Sequence, residues 1–144
     1  MTHEDRGHYA KKHPADREVN TQVAELVKKR ASNGKISCVE AFKIGGDLNV
    51  QPAEIGFTVD FLEIRIVKCQ LGLFGHSPKK SIVKPAKNVS SALEEAIREN
   101  LINGRLPCKA AWEIAEKSGI PKMGVSSACD TLEIKINSCQ LGSF

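Results

Sequence analysis

The chain has little of what most catalytic centres require. Its four histidines, His3, His8, His13 and His76, all fall in the first 20 residues or in a connector near the middle. Ser-His and Cys-His pairs are therefore missing from the periodic segments. There is no CxxC spacing, no Walker-type loop, no GxGxxG and no cluster of carboxylates at metal-ligand spacing. These absences point away from an enzyme and away from a cofactor. No apolar run approaches the roughly 18 residues that a membrane span needs. The start, MTHEDRGHYAKKHP, lacks the apolar core of a secretory signal. The expectation is a cytoplasmic protein with no membrane partner. Five cysteines, an odd number, are then expected to be reduced rather than paired in a disulfide framework. A spacing of five puts His3, His8 and His13 on no common helical face, so residues 1–20 read as a polar tail and not as a metal-binding tract.

What the chain does have is an internal copy. Residues 33–74 align without a gap to residues 103–144, and 15 of the 42 aligned positions are identical. Such self-similarity sets the architecture before any other signal. Two units are expected, at 21–74 and 91–144, joined by a basic connector or wing at 75–90. Units of about 50 residues are near the lower limit for a self-sufficient core, so each is expected to pack on the other or on a second subunit.

Each copy reads as helix, short strand, helix, turn, helix, strand. Val23, Leu26, Val27 and Ala31 recur at helical spacing, as do Leu93, Ala96, Ile97 and Leu101. Ser91 and Glu94 suggest a capping box, as do Ser37 and Glu40. Asn33-Gly34 and Asn103-Gly104 are expected to close the first helices. Cys38, Ala41, Ile44, Gly45 and Leu48 share one face of the second helix. Asn49 and Gly119 mark a turn through positive φ. A third helix opens at Pro52 and buries Ile55, Val59 and Leu62, matched by Val125, Cys129 and Leu132 in the copy. A strand follows over 64–71 and 134–141, with a phase shift near Lys68 that predicts a bulge or twist.

Gly45, Asn49, Val50 and Ile55, with Ala115, Gly119, Ile120 and Val125, resemble the helix-turn-helix pattern. A small residue lets two helices cross closely, and a left-handed residue makes the turn. The lead-in helix and the final strand make each unit similar to the winged-helix family. The fold class that this implies is mostly α with short β-strands, in tandem duplicated winged-helix-like modules. The resemblance also implies a regulatory, non-catalytic nucleic-acid-binding protein, with double-stranded DNA as partner and a third helix that reads base edges.

The residues complicate that reading. The third helix of the first copy offers only Gln51 for direct readout, beside Glu54, Asp60 and Glu63. The second copy offers Lys122, Ser126 and Ser127, but Asp130 and Glu133 recur. Positive charge gathers instead in the connector, at Lys79, Lys80, Lys84 and Lys87, which suits phosphate contacts or simply a solvated linker. Lys28, Lys29 and Arg30 form a shorter basic run at a helix end. Phe57 and Phe61, four residues apart, read as an exposed aromatic pair. They suggest the alternative function, a protein-interaction or scaffold module that docks a partner or a second copy through this face. The paired positions Cys38/Cys108 and Cys69/Cys139 admit a thiol or metal sensor. Their apolar surroundings favour core packing, with Cys129 standing where the first copy has Val59.

Overall fold

A computed structural model of the chain describes residue 13, residues 17–78 and residues 80–144. Among them the helices α1 (Thr21–Arg30), α2 (Cys38–Leu48) and α3 (Pro52–Phe61) alternate with the short strands β1 (Lys35–Ser37) and β2 (Arg65–Val67). The order then recurs as α4 (Ser91–Glu99), β3 (Leu106–Pro107), α5 (Cys108–Ser118), α6 (Lys122–Thr131) and β4 (Ile136–Asn137). The mostly helical class with short strands is as expected. The chain divides into two compact units: unit 1 takes the described residues up to Cys69 together with Gln140–Phe144, and unit 2 takes Gln70–Cys139. This division falls a few residues short of the ends of the sequence repeat, at 74 and 144.

In unit 1 the Asn20 side chain caps α1, accepting from the N–H groups of Gln22 and Val23 at 3.0 and 3.3 Å. Asn33-Gly34 does not close that helix, which ends at Ala31 in an extended conformation. It forms the tip of a tight turn in which Ser32 and Lys35 exchange both backbone hydrogen bonds, at 2.8 and 3.0 Å. The φ angles of Asn33 and Gly34 are +53° and +72°. Two successive positive φ values suit the twist of a two-residue hairpin, and Asn-Gly adopts them at low cost. Ser37 then caps α2, its Oγ accepting from the Glu40 N–H at 3.2 Å.

The turn between α2 and α3 follows the expected chemistry. Asn49 is left-handed, with φ 53° and ψ 48°, and the Val50 N–H closes onto the Gly45 carbonyl at 3.0 Å. A Cβ on Gly45 would lie 3.2 Å from the Val50 oxygen and 3.6 Å from the Ile55 side chain, so only a small residue fits this crossing. The end of α3 repeats the device: Glu63 has φ +55° and the Ile64 N–H bonds the Val59 carbonyl at 3.0 Å.

β1 and β2 pair in parallel, Ile36 opposite Ile66. Parallel neighbours need a crossover, here α2 and α3 together. The strand expected over 64–71 stops at Val67 because Lys68 turns through φ +53°. That one left-handed residue, and no bulge, explains the phase shift, since Ile64, Ile66, Cys69 and Leu71 are all buried. The antiparallel wing that the family resemblance implies is not formed among the described residues. Residues 81–83 of the connector contribute one backbone bond, Ile82 N–H to Gly72 O at 2.9 Å, and one from the Ser81 hydroxyl to the same oxygen at 3.2 Å.

Unit 2 has the same local plan. Ser90, not Ser91, caps α4, with its Oγ accepting from the Leu93 N–H at 3.1 Å. Asn103 and Gly104 form the same two-residue turn, with φ +52° and +78°. Gly119 is left-handed, and the Ile120 N–H bonds the Ala115 carbonyl at 3.1 Å. β3 and β4 pair in parallel, Leu106 opposite Ile136.

The third helix sits deepest in unit 1. Ile55, Gly56, Phe57, Thr58, Val59 and Asp60 are buried in succession, so this stretch of α3 is covered on every side and not along one stripe. One cover is the terminal segment: a Cβ on Gly56 would lie 1.9 Å from the carbonyl oxygen of the buried Leu141. Gly56→Ala should therefore displace the 140–144 backbone and destabilise the protein by about 3 kcal/mol, the upper range of overpacking. Urea denaturation of both proteins checks this, and an equal midpoint would show that the segment yields freely.

Candidate functional site

The outward faces of the two third helices are where a winged-helix protein would read nucleic acid, and both are occupied. In unit 1 Arg17 places its guanidinium 3.9 Å above the Phe57 ring centroid while Nη2 lies 3.1 Å from Glu54 Oε2. The His13 ring meets Phe57 edge-on, with centroids 4.9 Å apart, and its Nε2 lies 2.7 Å from Asp60 Oδ2. Phe57 is consequently 2% exposed and Asp60 6%. In unit 2 the connector does the covering through main chain. The Ala86 N–H donates to the Ser127 carbonyl at 3.0 Å, and the Thr131 hydroxyl donates to the Ala86 carbonyl at 2.7 Å.

This geometry corrects several expectations. Phe57 is no part of an exposed aromatic pair; Phe61, 47% exposed, is the exposed member, with its ring centroid 6.1 Å from that of Phe57. Ser126 is buried, and its hydroxyl has no hydrogen-bond partner among the described residues, so it faces no ligand from outside. It stands where unit 1 has Gly56. Ser127 is half-buried under the connector. Lys122 lays its ammonium 4.6 Å over the Trp112 ring, which holds it against α5. Gln51 is exposed at the start of α3 but makes no side-chain cap. Lys80, Lys84 and Lys87 are exposed along the connector, and Lys79 lies outside the described residues. Arg30, from the basic run of α1, pairs with Asp47 at 2.8 Å. That gives the run a structural use.

His13 and Arg17 are not legible as site residues, because the first 20 residues read as a tail. Residues 1–12 and 14–16 of that tail, with His3 and His8 among them, lie outside the described residues. A signal is nonetheless present. Arg17 and Lys87, Val19 and Val89, and the caps Asn20 and Ser90 keep the spacing of the repeat, which therefore begins upstream of α1.

The cysteines sit in the cores. Cys38, Cys69, Cys108 and Cys129 are buried, and Cys139 is half-buried. Burial pushes the Cys129 thiol up from 9.0 to about 11, which keeps it protonated and unreactive at neutral pH. No group of three or more His, Cys, Asp or Glu side chains among the described residues is placed to hold a metal ion. No described helix is long and apolar enough to cross a membrane. The chain matches no protein-family model, no curated protein and no solved structure.

Two outcomes test these assignments. As pH rises, the thiol of Cys129 ionises first in the unfolded chain, so its contribution to stability is complete below pH 9 and is lost as pH climbs through about 11. Cys129→Val, which installs the residue of unit 1, should lose less stability than the parent between pH 8 and pH 11 in paired urea melts. Arg17→Ala should cost about 1 kcal/mol, because it removes a cation–π stack and a half-exposed ion pair. Lys87→Ala at the matching position should change the same melt by less than about 0.5 kcal/mol.

Proposed function

We propose that the protein is a non-catalytic binding protein built from two tandem winged-helix-like repeats, and that it contacts nucleic acid through phosphates and not through base edges. The observation that carries this is the connector. Lys80, Lys84 and Lys87 are exposed on a segment held to α6 by main-chain bonds, and none of the three makes an ion pair among the described residues. Cations on an anchored segment are presented for counterion release along a phosphate backbone. The covered third helices, lined by Glu54, Asp60 and Asp130, argue against major-groove reading. In this proposal each unit keeps the helix-turn-helix core and replaces the wing by a parallel strand pair. A strap of upstream chain then lies over the third helix.

Replacing Lys79, Lys80, Lys84 and Lys87 by Gln should weaken duplex binding equally across sequences. The slope of log K against log salt should flatten by roughly 0.9 for each phosphate that is no longer neutralised. Fluorescence anisotropy with random duplexes at several salt concentrations measures both. No duplex binding by the parent at low salt would end this reading.

A further inference from the structure

We propose that the outer face of α3 is a docking surface for an extended, arginine-bearing segment of a partner protein, and that His13 and Arg17 occupy it as an internal stand-in. The chemistry of the face is visible in what it already holds. Glu54 and Asp60 flank Phe57 about one and two-thirds helical turns apart, and Phe61 continues the aromatic surface. A guanidinium stacked at 3.9 Å on Phe57 and paired with Glu54 at 3.1 Å is selective for arginine, because its planar fork can do both at once. Four residues away a second ring, His13, packs on Phe57 at 4.9 Å and reaches Asp60 at 2.7 Å.

These interactions run through side chains, so another chain that presents the same groups satisfies the face equally well. The matching strap of unit 2 is different. Ser127 and Thr131 replace the two Phe residues, and the strap is gripped by its backbone at Ala86, which selects no side chain. The stand-in also leaves part of the surface unused, since Phe61 remains 47% exposed beside it. Aromatic anchors of this kind carry much of the energy of an interface. The two carboxylates disfavour nucleic acid on this face, so the inference is independent of the lysine connector.

The test uses the full chain with His13→Ala and Arg17→Ala together, and as probe a labelled peptide with the sequence of residues 11–20, KKHPADREVN. The double variant should bind the peptide at least about tenfold more tightly than the parent, in which the internal segment competes. Adding Glu54→Lys should remove that gain, and a peptide with Glu in place of its arginine should recover only the ion-pair part of it, since a carboxylate cannot stack on Phe57. Arg17→Gln alone provides a milder opening if the double variant loses its far-UV helical signal. Equal binding by parent and opened variants would overturn the proposal, as would indifference to Glu54→Lys. Displacement of the peptide by a short random duplex would overturn the assignment to a protein partner.

Discussion

A helix buried on all sides must be given cover on all sides, and α3 shows what that demands of a small unit. This helix packs on α1 and α2, and its Ile55 and Val59 are fully buried. Its remaining surface is apolar or carries a carboxylate, apart from Thr58, whose hydroxyl donates to the Glu54 carbonyl, and one compact motif does not supply enough chain to cover it. The cover comes from both ends of the sequence: the segment upstream of α1, through His13 and Arg17, and the segment after β4, through Leu141 against Gly56. Without those two the side chains of Phe57 and Asp60 would stand in water and the α3 face would be open.

The turn chemistry makes that delivery possible. Lys68 and Ser138 are left-handed, at φ +53° and +54°, and each ends its strand. The chain passes from one unit to the other at the next residue pairs, 69–70 and 139–140. A left-handed residue with a side chain costs roughly 1–2 kcal/mol relative to an ordinary conformation, and its presence at the same place in both copies marks it as part of the design. Glu63 and Glu133 carry the same kind of strain to end α3 and α6.

The two copies have kept backbone and changed faces. Positive φ recurs at Asn33/Asn103, Gly34/Gly104, Asn49/Gly119, Glu63/Glu133, Lys68/Ser138 and Gly72/Gly142. Around that frame Phe57 has become Ser127, Phe61 has become Thr131, and Gly56 has become the buried Ser126. The first unit therefore presents an acidic, aromatic helix under a cationic strap. The second presents a plain helix under a strap that carries the lysines. Divergence at the faces with retention of the turns leaves two different surfaces on one backbone plan.

The sequence by itself determined what depends on neighbours in the chain. The gapless repeat, the Ser37 cap, the left-handed Asn49 and Gly119, the small residue at Gly45 and Ala115, and the burial of the cysteines are all legible there. Each is fixed by local sterics or by a helical period. Only the tertiary structure decided which side of α3 is outside. Periodicity assigns one buried stripe to a helix, and it cannot register that distant segments close the rest, so by period alone Phe57 is exposed and Ser126 reachable. The parallel pairing of β1 and β2 is likewise beyond local signals, because strand direction is set by the crossover. The Asn-Gly turns escape local reading for a simpler reason. A positive φ suits a helix end and a hairpin tip equally, and the bonds between Ser32 and Lys35 choose between them.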